Sequence, residues 1–142
     1  MKTYLMALSL VLSLANSGCN ALGERDAGGR ISDYTERANA ATSVVHIAGQ
    51  CLSACTIKLG SAKGVCIEPD AVLGFHSAFH MNIPDANPWA RMSPEGNQVL
   101  MSYYIKFPRL AVAVAPMLET PAMTFLNAQQ LVALGVPSCK GN

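Results

Sequence analysis

The sequence predicts an α/β fold. Short β-branched runs alternate with amphipathic or small-residue helical segments, the pattern of strands and helices sharing one core. The chain has 142 residues, one domain's worth. Its first twenty residues read as an export signal, with Lys2 as the positive start, "YLMALSLVLSLA" as a short apolar run and "NSGCNA" as small polar residues. The run is too short for a spanning helix. The organisation expected is a signal peptide at 1–20, or a lipoprotein signal that would lipidate Cys19, followed by a single domain at 21–142.

The elements follow in order. After a polar lead-in ending in Gly28-Gly29, "RISDYTERANAA" places Ile31, Tyr34 and Ala38 on one helical face, with Asp33, Glu36 and Arg37 on the other. "SVVHIAG" reads as a strand that stops at Gly49, and "SACTIKLGSA" as a helix ending at Gly60. "GVCIEP" and "AVLGF" read as two strands split by a turn. The Pro- and Asn-rich stretch 77–92 is a loop, and a loop this long in a small domain is usually functional or mobile. A helix should begin at Ser93 as N-cap with Pro94 in its first turn, break at Pro108 and restart. "NAQQLVALG" closes the chain as a helix from Asn127 to a Gly135 stop.

Charge excludes one class of partner. Without Lys2, nine basic residues stand against nine acidic ones with no basic stripe, so nucleic acid is not expected. Beyond Cys19 the cysteines are Cys51, Cys55, Cys66 and Cys139, an even set that in an exported chain suggests disulfides. Sequence alone does not fix the pairing. The expectation is Cys66 with Cys51 or Cys55, because the strand holding Cys66 should run back beside the junction holding the other two.

Ser53 lies at a strand-to-helix junction, where unpaired backbone N–H groups point outward. A serine there is an N-cap unless a base stands near, and His76, just past the strand "AVLGF", is the candidate base. Small Ala54 offers an N–H to a developing oxyanion, and Gly28-Gly29 can expose more. His46, inside a strand, reads as a partly buried packing histidine, and His80 as an exposed loop residue. Cys51, Cys55, His76 and His80 carry zinc-type ligands, but the middle spacing is long and export favours disulfides. No metal or other cofactor is therefore expected.

"GQCLSACTIKLGSAKGVCIEPDAVLGFHSA" resembles the active-site segment of the Clp protease proteolytic subunit family, where a strand ending "GQAAS" leads to a small-residue helix and then "VMIHQP". Gly49, Gln50, Ser53, Cys66, Pro69 and His76 fall in step once two residues are dropped from the turn. "FLNAQQLVALGV" resembles the family's closing "FLSA" segment, and "AGG" its glycine loop. The resemblance runs from about 27 to 137 and extends to exported bacterial relatives of that peptidase. It implies a ClpP/crotonase-like fold of stacked ββα units, abbreviated at the N-terminus, with Ser53 as nucleophile, His76 as base and the N–H groups of Gly29 and Ala54 as oxyanion donors. The family's catalytic aspartate falls on Met123, leaving Glu119 and Asn127 as substitutes for a third member.

The resulting expectation is an exported, periplasmic serine hydrolase, peptidase-like, acting on a peptide or other acyl substrate. The alternatives are a non-catalytic binding or assembly subunit of the same fold and, third, a zinc-binding module. A homo-oligomer and membrane attachment through a lipidated Cys19 are the partner states in view.

Overall fold

The structure, a computed structural model, describes residues 24–83 and 87–139. The expected export signal and Cys19 lie outside the described residues. The elements are β1 (Arg25–Asp26), α1 (Ile31–Asn39), β2 (Val45–Ile47), β3 (Gln50–Leu52), a 3₁₀ helix (Ser53–Gly60), β4 (Val65–Ile67), β5 (Val72–Phe75), a 3₁₀ turn (Pro88–Arg91), α2 (Pro94–Tyr104), α3 (Pro108–Val114), a second 3₁₀ stretch (Ala115–Glu119), β6 (Thr124–Asn127) and α4 (Ala128–Ala133). The fold is mixed α/β, as the alternation of patterns required.

Two passes of strand, strand, helix organise the chain. In each, the first strand joins one sheet and the second joins another. β2 pairs parallel with β4, and β3 pairs parallel with β5. The larger sheet has the order β1-β3-β5-β6, with β6 antiparallel to β5. The run "SVVHIAG" is therefore not one strand ending at Gly49. The chain turns a corner there, and a second strand, β3, starts at once. Gly49 has φ +57°, and a Cβ on it would stand 2.1 Å from the Glu24 carbonyl oxygen. Only glycine fits that corner, because it combines a left-handed backbone with close packing against the lead-in.

Local signals explain the helices. In α1, Tyr34 and Ala38 are buried one turn apart. The Ser93 hydroxyl accepts from the Gly96 N–H at 3.1 Å, and Pro94 occupies the first turn of α2. Asn127 and Gln130 form a reciprocal capping box on α4, and Gly135 at φ +100° ends it. The segment 53–60 is helical but wound as 3₁₀ turns. The Thr56 hydroxyl donates to the Ser53 carbonyl at 2.6 Å, which helps to hold this tight winding.

The core lies between the larger sheet and the helices, around Ile57, Leu59, Leu73, Leu110 and Leu131. Phe75 meets Tyr104 edge-on, with ring centroids 5.6 Å apart. The buried Tyr104 hydroxyl is satisfied by Thr56 Oγ1. Burial drives the Tyr104 phenol strongly upward, and the Thr56 bond only partly offsets that.

Two disulfides form, and their pairing corrects the expectation. Cys51 bonds Cys55, and Cys66 bonds Cys139. The reason is topological. β4, which holds Cys66, belongs to the smaller sheet, whereas β3, which leads into the Cys51–Cys55 junction, belongs to the larger one. Its free edge takes the C-terminal tail instead. The Ile67 N–H donates to the Pro137 carbonyl at 2.8 Å and the Cys139 N–H to the Ile67 carbonyl at 3.0 Å, which lays Cys139 beside Cys66.

Candidate active site

Ser53 is the only non-glycine residue with positive φ among the described residues, at +55°. It occupies the sharp turn from β3 into the 3₁₀ helix. A left-handed serine costs roughly 1–3 kcal/mol and persists only where its surroundings over-determine it. Three constraints do so. The Cys51–Cys55 disulfide brackets the turn. Thr56 holds the Ser53 carbonyl. Gly28 packs directly on the elbow: a Cβ there would stand 2.5 Å from the Leu52 carbonyl oxygen and 2.9 Å from both Ala54 N and Ser53 Cβ.

Gly28 is pinned in turn. The Asp26 Oδ1 atom accepts from the Gly28 N–H at 3.0 Å and from the Tyr34 hydroxyl, and Oδ2 pairs with Lys58 Nζ at 3.0 Å. Burial by itself would raise the Asp26 carboxyl. The Tyr34 hydroxyl, the Gly28 N–H and the Lys58 ammonium outweigh it and hold the group below the ordinary carboxylate range. Tyr34 is pushed up to about 12, by burial first and then by donating to Asp26. Gly28→Ala should cost roughly 1–3 kcal/mol from the left-handed φ of +80° alone, with the added clash coming on top. Denaturant unfolding checks it, and a stability unchanged from the parent chain would mean that the loop does not pack on the elbow.

His76 follows β5 directly, and the segment after it is anchored on several sides. The Ser77 N–H donates to the Thr120 carbonyl at 3.0 Å and the Ala78 N–H to Asn97 Oδ1 at 2.7 Å. Asn97 Nδ2 donates onward to the Leu118 carbonyl at 2.8 Å. Ser93 N–H to Ala78 O and His80 N–H to Arg91 O close the base of the loop that leaves the site. The Phe79 ring lies 5.0 Å from the imidazole, and the Arg91 guanidinium carbon lies 5.7 Å from the Phe79 centroid.

Ser53, Ala54, His76 and Gly29 line one cleft of about 260 Å³, with Ile31, Phe79 and Leu100 supplying apolar wall. The first turn of α1 opens onto the same space, so the positive end of its dipole faces the cleft. The structure thus brings together four sequence-chosen residues that lie as much as 47 positions apart along the chain (Gly29 to His76). No family model, curated protein or solved structure matches the chain. The geometry of this cleft and its chemistry therefore carry the functional reading.

The proposed third members do not join the cleft. Asn127 spends its side chain on the α4 cap, and Glu119, exposed, borders a separate groove with Pro94 and Asn97. Met123 packs its thioether over Gly74, where a Cβ would stand 2.7 Å from its sulfur. Nδ1 of His76 is buried without a hydrogen-bond partner. Burial holds the imidazole below its ordinary 6.5; the Ser77 backbone pulls the other way, but no hydrogen bond of normal geometry reaches Nδ1.

The four zinc-type residues are not a ligand set, because Cys51 and Cys55 are bonded to each other and His80 is exposed in the loop. His46 also departs from expectation. It is exposed on β2, with Nδ1 2.9 Å from Glu68 Oε1. Sequence reasoning missed Asp26, Lys58 and Asn97. Asp26 had a usable signal, since an aspartate two residues before a glycine commonly accepts from that residue's N–H. Asn97 had a weaker one, as asparagine inside a helix suggests a task other than helix formation.

Proposed function

We propose that the chain is an exported serine hydrolase, peptidase-like, with Ser53 as nucleophile and His76 as general base. The observation that carries this reading is the left-handed Ser53 at a strand-to-helix turn, held there by three constraints and facing a cleft shared with a histidine. Strain of this kind exposes a serine oxygen at the start of a helix, as in other nucleophile elbows. The two strand-strand-helix passes, with like strands pairing parallel, support the ClpP/crotonase-like form of the fold. Two disulfides accord with an oxidising, exported compartment.

In this mechanism Ser53 Oγ attacks the acyl carbon while His76 takes its proton. Nδ1 is buried, so Nε2 is the nitrogen left to face the cleft. The oxyanion is met by the N–H groups of Gly29 and Ala54, in the field of the α1 N-terminus. Collapse of the tetrahedral intermediate returns the proton from His76 to the leaving amine or alcohol. Water then attacks the acyl-serine by the same route. Ile31, Phe79 and Leu100 favour an apolar side chain next to the reacting carbonyl.

A fluorophosphonate probe, which reacts only with an activated serine, tests the reading. Incubation with the purified protein should give a single adduct, mapped to Ser53 by peptide mass spectrometry. An adduct elsewhere, or none while a known serine hydrolase reacts under the same conditions, refutes the activity. One observation favours a second reading, a binding or assembly subunit of the same fold. His76 Nδ1 has no acceptor and Met123 has none to offer, so nothing charged orients the imidazole.

The pH dependence has a defined sign. The base must be neutral, and burial favours the neutral ring. Labelling should therefore stay level near pH 7 and fall with acid through a midpoint below 6.5. A midpoint above 6.5 in the rate profile would mean that an anionic partner stabilises the imidazolium.

A further inference from the structure

We propose that the reduced chain carries a divalent-metal site, suited to Zn²⁺, built from Cys66, Cys139 and His46 and oriented by Glu68. The site is remote in chemistry and place from the serine cleft, on the smaller sheet and its C-terminal tail. His46 and Cys66 are direct cross-strand partners in the parallel β2–β4 pair, so their side chains leave the same face. Glu68, two residues beyond Cys66, lies on that face too. Cys139 is delivered to it by the tail. The two sulfurs and a ring nitrogen of His46 lie within 4.8 Å of one another.

The chemistry of the donor set fits a borderline-soft cation. Two thiolates and an imidazole are zinc ligands, and a water completes a tetrahedron. Glu68 supplies what such histidines usually have. A carboxylate is an acceptor only, so the 2.9 Å contact places the proton of neutral His46 on Nδ1 and leaves the Nε2 lone pair free for a metal. His46 is exposed, with 59% of its side chain accessible, so an ion can reach the site from the imidazole side, above the buried Cys66.

The disulfide and the metal exclude each other. A dithiol or phosphine reductant supplies two electrons, and two protons are taken up. The Cys66–Cys139 bond opens to two thiols while the reductant closes to its own disulfide or becomes the phosphine oxide with an oxygen from water. Binding M²⁺ then releases both thiol protons and forms two metal–sulfur bonds. The two bonded sulfurs must separate to about 3.7 Å to span a tetrahedral ion. Side-chain rotation can provide that, because the backbone bonds from Ile67 to Pro137 and Cys139 hold the tail in place without the disulfide.

Cobalt titration tests the site. The phosphine-reduced full chain should bind one equivalent of Co²⁺, with thiolate-to-cobalt charge-transfer absorption and the visible bands of a tetrahedral ion. The oxidised chain should show neither. His46→Ala should weaken binding by about a hundredfold, and Glu68→Gln by roughly ten- to a hundredfold. Zn²⁺ should also raise the melting temperature of the reduced chain while leaving that of the oxidised chain unchanged. The proposal is overturned if the reduced chain gives no charge-transfer band, or if the band is the same in His46→Ala, which would assign it to Cys51 and Cys55. A reduced chain that unfolds and does not refold when Zn²⁺ is added counts against it equally.

Discussion

Ser53→Ala will take up no fluorophosphonate probe, and His76→Ala will react at least about a hundredfold more slowly than the intact chain, the lower end of what a positioned general base contributes. The argument is geometric. Serine is a weak nucleophile unless a base removes its proton, and His76 lines the same cleft as Ser53. The loss should fall short of that in a full triad. Without a carboxylate on Nδ1, about ten-thousandfold of triad activity is already missing. Glu119→Ala and Asn127→Ala should each change the rate by less than tenfold, since the first borders another groove and the second caps α4. Second-order labelling rates check all four, with circular dichroism to show that each variant folds. A Glu119→Ala loss as deep as that of His76→Ala would mean a working acid that this geometry does not contain.

Removing the Cys66–Cys139 bond should be the most damaging change to stability. It joins residues 73 apart, whereas Cys51–Cys55 joins residues four apart. In the chain-entropy account the long loop is worth about 4 kcal/mol and the short one about 2 kcal/mol. Cys66→Ala with Cys139→Ala should therefore lower the unfolding free energy roughly twice as far as Cys51→Ala with Cys55→Ala. The order should reverse for labelling, because only the short bridge brackets Ser53. Equal losses of stability in denaturant titrations would show that loop closure does not rank the two bridges. Equal losses of labelling would show that the short bridge does not hold the turn.

What the sequence made legible was local. Tyr34 and Ala38 on one face, the Ser93 and Asn127 caps and the Gly135 stop each depend on residues within a turn of one another, and all are present. Ser53, His76, Gly29 and Ala54 could be chosen because each stands at the end of a strand or the start of a helix, where chemistry gathers in α/β folds. What required three dimensions stayed hidden. Gly49 looked like a stop because periodicity cannot tell the end of a strand from a corner between sheets. β6 had no counterpart in the sequence reading, since Thr124–Asn127 is too short to show alternation ahead of the strong Asn127 cap. Cysteine pairing depended on which sheet β4 joins, which no local pattern encodes. The Asp26–Lys58 pair, 32 residues apart, was likewise invisible to any window of helix or strand length.

The short bridge from Cys51 to Cys55 has a consequence for timing. Of the three constraints that keep Ser53 in its left-handed turn, this is the one that does not exist when the polypeptide leaves the ribosome. It must be made by an oxidant. Until then only Thr56 and Gly28 hold the turn, and the serine has one restraint fewer against relaxing toward an ordinary backbone. Under the proposed function, a chain with its thiols still free is a safer molecule for the cell that makes it than the finished one. Arming then coincides with the oxidation of Cys51 and Cys55.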